Sequence, residues 1–152
     1  MKFIKVTHID TAGHGYLSVS KKDFISAGGD PKKITQYSGH TLTRLYLEED
    51  CDASYFVEVA KANGFTVVVK SSYNPKFAIH HNYNSELFDF KPEIGKHIKF
   101  HNEDNAQIIL IPGVEGQTTS DGILVLMLTG KHKGRQYRIP IGNPFSYIAG
   151  KV

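Results

Sequence analysis

Residues Lys2 to His8 alternate, with Ile4, Val6 and His8 on one side and Phe3, Lys5 and Thr7 on the other, which predicts a half-buried strand. Thr11-Ala12-Gly13-His14-Gly15 interrupts the pattern, and Tyr16 to Ser20 resumes it, so the two runs predict a hairpin or tight strand pair. Ser20 stands three positions before Asp23, the spacing of a capping box. Phe24, Ile25 and Ala27 then predict a short helix that stops at Gly28-Gly29. Asp30-Pro31 predicts a further helical turn, with Asp as cap and Pro at the first position, where its missing N–H is harmless. Gly39 ends that turn, and Thr41 to Leu47 alternates as a strand.

The clearest helical spacing follows: Phe56, Val59, Ala60 and Asn63 lie at i, i+3, i+4 and i+7, with Asp52 as N-cap and Gly64 as a left-handed C-terminal residue. Phe65 to Lys70 reads as a strand. Between Ser71 and Pro92 five aromatics (Tyr73, Phe77, Tyr83, Phe88, Phe90) mix with polar residues and two prolines, which predicts an irregular connection pinned by its aromatic rings. Strand-like runs return at His97 to His101, Gln107 to Ile111, Ile123 to Thr129 and Arg135 to Ile141. Pro140 makes the last of these an edge strand. The expected fold is α+β: an N-terminal ββαβαβ-like unit (residues 1–70), the aromatic-rich connection (71–92), and a small antiparallel β-sheet or SH3-like barrel of about four strands (93–152), the halves separate or packed as one domain.

A chain of 152 residues, 40% of them apolar, makes a core without a metal or disulfide, and no cofactor is implied. The longest apolar run, Ile123 to Leu128, is far too short to span a membrane, and no signal core follows the first lysines. The lone Cys51 fits a reducing compartment, so the expected location is cytoplasmic. Charge changes the picture by region. The formal total is +3, yet residues 122–152 hold Lys131, Lys133, Arg135, Arg138 and Lys151 with no acid, which leaves the rest of the chain net acidic. Such a tail attracts phosphates, nucleic acid, nucleotides or an acidic partner.

Three clusters carry candidate chemistry. In Thr129 to Arg138, two glycines flank a Lys-His-Lys tip, so Lys131, His132, Lys133, Arg135 and Arg138 are candidate phosphate or nucleic-acid ligands, with backbone amides available as an anion nest. Tyr137 interleaves an aromatic that suits base stacking, although its alternation with Ile139 and Ile141 aims it at the core. The competing reading is a solvated hairpin whose lysines protect an edge strand. Glu48, Glu49, Asp50 and Asp52 form an acidic cluster at a helix start, a candidate surface for a host protein. His8, Asp10 and His14 are a candidate metal set for a phosphoesterase; alternatively Asp10 and His14 satisfy the backbone of a tight turn. His97 and His101 on one strand lie ~13 Å apart, too far to share an ion, and with His80-His81 they read as pH-sensitive surface charge. Cys51 lies among carboxylates that oppose its ionisation, and no nucleophile elbow, Walker loop, zinc-protease or kinase motif is present, so catalysis has no positive sign.

Two segments, "GHGYLSV" around His14 and "YLEEDCDA" from Tyr46 to Ala53, together resemble small uncharacterised proteins of bacteriophages, plasmids and other mobile elements. The resemblance spans roughly residues 5–70 and carries no known activity, cofactor or site residue. It implies an accessory protein acting on host machinery or on the element's own nucleic acid, in the cytoplasm of the bacterial host. The basic turn "GKHKGRQYR" is also similar to the Gly-and-Lys turn of KOW-type and SH3-like barrels, some of which contact RNA.

Overall fold

β1 (Lys2–Asp10) and β2 (Gly15–Ser20) form the expected antiparallel hairpin, with His8 opposite Leu17 and Thr7 opposite Ser18. The structure is a computed structural model that describes residues 2–77, 83, 85, 88–89, 93–100, 104–110, 122–140 and 148–149. The Ser20 hydroxyl accepts from the Asp23 N–H at 3.0 Å, so α1 (Lys21–Ser26) starts directly from β2. Asp30 likewise accepts from the Lys32 N–H at 2.9 Å and opens a 3-10 turn over Pro31–Lys33. Of Thr41 to Leu47, expected as one strand, Arg44 onward is strand, but Thr41 to Thr43 form the turn of a hairpin. The Thr41 N–H donates to the Arg44 carbonyl at 2.9 Å, and its hydroxyl accepts from the Arg44 N–H at 3.0 Å. That local bonding folds β3 (Gly39–His40) back on β4 (Arg44–Glu48).

α2 (Ala53–Ala62) follows, and Gly64 (φ 84°) ends it as predicted. β5 (Phe65–Tyr73) then runs parallel to β1 along all nine of its residues. It outlasts the expected Phe65 to Lys70 because β1 offers a ladder as far as Asp10, whose carbonyl accepts from the Asn74 N–H at 2.8 Å. The first sheet is ordered β3-β4-β2-β1-β5. One face turns Ile4, Val6, Leu17, Val19, Leu45 and Leu47 toward both helices, where Phe24 and Phe56 stack at 5.7 Å. Each of those rings is fully buried, worth roughly 2–3 kcal/mol of transfer free energy. Of the five aromatics expected to pin the connection, three pack against this sheet; Tyr73 is exposed on β5, and Phe90 lies outside the described residues. Phe77 covers Tyr16 and Tyr46 on the opposite face, while Tyr83 and Phe88 enter the core and the Tyr83 hydroxyl donates to the Pro31 carbonyl at 2.7 Å.

The second half is an antiparallel sheet of β6 (His97–Lys99), β7 (Asn105–Leu110), β8 (Gly122–Met127), β9 (Gln136–Pro140) and β10 (Ile148–Ala149). Its order is β10-β6-β7-β8-β9, so the described strands form an open sheet, and the two-residue β10 adds a fifth strand to the four expected. β9 lies at an edge, as Pro140 predicts. Ile98, Ala106, Ile108, Val125 and Met127 form a separate core against which Leu42 packs. Among the described residues no helix is long and apolar enough to cross a membrane.

Candidate functional site

The β8–β9 turn is closed by its own backbone. Gly130 (φ 79°) and Gly134 (φ 86°) take left-handed conformations, the Lys133 N–H donates to the Gly130 carbonyl, the Gly134 N–H to Met127 and the Arg135 N–H to His132, at 2.8 to 3.1 Å. The expected anion nest therefore loses three of its donors to the turn, and what faces solvent is the side chains. Lys131, Lys133 and Arg135 are exposed and make no ion pair among the described residues. Tyr137 stands beside Val125 on the core side, as its alternation predicts, but at the sheet edge it stays 38% exposed. Its hydroxyl shares a 3.0 Å hydrogen bond with Nδ1 of the half-buried His132, and the rings meet edge-on at 5.6 Å. His132 thus braces the turn. Arg138 lies on β9 opposite Leu124. The basic stretch is also less isolated in space than in sequence, since the Asp104 carboxylate presses against Gly130 where a Cβ would sit.

The acidic cluster does not form one surface. Only Glu49 and Asp50 are exposed; Glu48 is 6% and Asp52 1% exposed. Glu48 turns inward because its carboxylate accepts from the Asp50 and Cys51 N–H groups, both at 2.9 Å. Asp52 occupies the cap position of α2 without capping it: its carboxylate accepts from the Thr35 N–H at 3.1 Å, the Thr35 hydroxyl at 2.8 Å and the Ser38 hydroxyl. Two of the four acids are thereby committed to holding the Thr35 to Ser38 segment and the loop before α2. The Cys51 thiol is pushed up, first by its hydrogen bond to Glu48 and further by the charges of Asp52 and Asp50, as its neighbours predict.

His8, Asp10 and His14 are not gathered into a metal site. β1 carries both His8 and Asp10, two positions apart, but His8 Nε2 lies 3.1 Å from a Glu49 carboxylate oxygen, and Asp10 is exposed. In the β1–β2 turn the Thr11 hydroxyl donates to the His14 carbonyl at 2.7 Å and accepts from the His14 N–H at 3.0 Å. Among the described residues no group of three or more His, Cys, Asp or Glu is placed to hold a metal ion. His80, His81 and His101 lie outside the described residues. The segment around His14 and the segment from Tyr46 to Ala53 lie side by side in the fold. Tyr16 pairs with Glu48, and a cavity of about 370 Å³ between the segments is lined by His14, Tyr37, Glu48, Asp50 and Cys51. Gly15 lets them close: a Cβ there would strike the Glu49 carboxylate and lie 2.8 Å from His8 Nε2. Gly15→Ala is expected to cost ~1–3 kcal/mol by overpacking, read as a lower urea midpoint, and an unchanged midpoint would contradict this contact.

Lys21 and His40 form a buried basic pair that nothing in the sequence separates from their neighbours. The Lys21 ammonium, 8% exposed, donates to the Phe88 carbonyl at 3.0 Å and lies 5.1 Å from the Phe88 ring centroid. Burial lowers its pKa to about 8, against the opposing charge of Asp89. His40 is buried with both ring nitrogens unpartnered, its ring edge-on to Tyr83 at 5.1 Å. Burial, and then the charge of Lys21, lower its pKa to about 3. No family model, curated protein or solved structure matches this chain.

Proposed function

We propose that this protein is a binding module that contacts nucleic acid, or another phosphate-bearing ligand, through the β8–β9 turn. The observation that carries the reading is the exposed trio Lys131, Lys133 and Arg135 on a turn whose backbone is fixed by its own hydrogen bonds and by the His132–Tyr137 pair. A rigid cationic tip loses less conformational entropy on binding than a flexible one, and its charges are free to displace the counterions of a phosphate chain. The half-exposed Tyr137 ring beside them offers a stacking face. The resemblance of residues 5–70 to mobile-element proteins implies an accessory protein acting on host machinery or on the element's own nucleic acid, and the second of these agrees with this reading. The inward turn of Glu48 and Asp52 argues against the acidic cluster as the principal recognition surface.

The direct test replaces Lys131, Lys133 and Arg135 together by alanine. The three side chains are exposed, so the variant is expected to keep its melting temperature. It is expected to bind labelled single-stranded DNA or RNA about tenfold or more weakly, from contacts worth up to ~1 kcal/mol each. Equal binding by parent and variant in an anisotropy titration would remove the proposal.

A further inference from the structure

The four sheet edges are not built alike. β3 is two residues long and both are buried; β10 is also two residues; β9 carries Pro140 and leads out of the basic turn. Short length, proline and charge are the devices that stop an edge from pairing with another chain. β5 has almost none of them. It presents nine residues, Phe-Thr-Val-Val-Val-Lys-Ser-Ser-Tyr, with no proline and one charge, and every residue except Phe65 and Val67 is exposed. One side is fully engaged with β1, and no described strand pairs with the other, which therefore offers N–H and C=O groups at about every second residue.

The side chains along this edge specify what suits it. Val68, Val69 and Tyr73 are 44%, 51% and 69% exposed. In the parallel register Phe3 lies beside Thr66, Lys5 beside Val68 and Thr7 beside Lys70, so one face mixes apolar Phe3 and Val68 with basic Lys5 and Lys70. The two paired strands hold Lys2, Lys5 and Lys70 against one acid, Asp10, which lies at the end of β1 beside Tyr73. A second copy pairing edge to edge would bring two net-basic strand pairs together, with only Asp10 of each to offset their lysines. An extended segment alternating apolar and acidic residues satisfies the backbone, the apolar stripe and the charge together.

We infer that the outer edge of β5 is a docking site for such a segment of another protein, which joins the first sheet as a sixth strand. This stands independently of the hairpin proposal. The probe is an acetylated and amidated octapeptide of alternating Glu and Val, compared with its Lys-for-Glu counterpart, each titrated against the full chain by fluorescence anisotropy. The expected result is saturable binding of the acidic peptide at least ~10-fold tighter than the basic one. Amide hydrogen exchange should slow within residues 65–73, and the preference should reverse in Lys5→Glu/Lys70→Glu. Binding should also survive in the Lys131, Lys133 and Arg135 triple alanine variant. Absent or equal binding of the two peptides, protection confined to the basic turn, or a dimer of the unliganded chain protected along β5 would each overturn the inference.

Discussion

Replacing His40 by phenylalanine is expected to stabilise the protein at neutral pH and to remove much of its loss of stability in acid. The imidazole is buried with neither nitrogen bonded, so an apolar ring in its place relieves an unsatisfied donor and acceptor, worth about 1 kcal/mol at pH 7. The acid effect is larger. In the folded chain burial holds the pKa near 3, while the unfolded chain titrates near the ordinary 6.5. Between those values the unfolded state binds more protons, so stability rises with pH; the contribution is complete above about pH 6.5 and is lost as pH falls toward 3. Integrated over the window, the loss is on the order of 4 kcal/mol. The ammonium of Lys21 adds to it by opposing a second positive charge in the same core. Urea unfolding of both proteins at pH 7, 5 and 4 should show curves that diverge as pH falls. Curves that stay parallel would mean that His40 is not the group whose protonation unfolds the core.

Asp52→Ala is expected to cost about 3 kcal/mol. Its carboxylate is the acceptor for the Thr35 N–H and for the hydroxyls of Thr35 and Ser38, and Ser38 is itself fully buried. Removing the acid orphans three donors, each costing about 1 kcal/mol or more, in a place where water has little access. The Ser38 hydroxyl also accepts from the Glu48 N–H at 2.9 Å, so the damage passes into the end of β4. For a chain of this size the melting temperature should fall by roughly 6–12 °C. Asp52→Asn, which keeps an acceptor, should fall less. A shift within ~2 °C for the alanine variant would show that the network contributes little.

Asp52 shows where sequence reading succeeds and where it ends. Period-2 alternation located β1 and β2, period 3.6 located α2, and the Ser20 and Asp30 caps were found because each cap bonds within three residues of itself. Local rules reach no further than that. Asp52 at a helix start looks like a cap by every local criterion, yet its partners lie 14 and 17 positions away, brought there by the path from α1 to β4. Glu48 and Glu49 are adjacent in sequence and opposite in fate: Glu48 pairs with Tyr16 and turns its carboxylate onto the Asp50 and Cys51 N–H groups, while Glu49 reaches His8. Parallel pairing with β1 extended β5 through Ser71 to Tyr73, whose composition reads as loop. The basic turn was legible because it is local, two glycines around a charged tip. The hold of Tyr137 on His132 needed the sheet edge to be known.

The measurement that tests the central claim most directly is a salt titration of nucleic-acid binding by the parent protein and by the Lys131, Lys133 and Arg135 triple alanine variant. Phosphate contact through the turn predicts that log affinity of the parent falls linearly with log salt concentration, with a slope of about −2 to −3 from these three charges, and that the variant loses most of that slope. No binding at ~50 mM salt, where electrostatic contacts are strongest, or an identical slope in both proteins, would contradict the account.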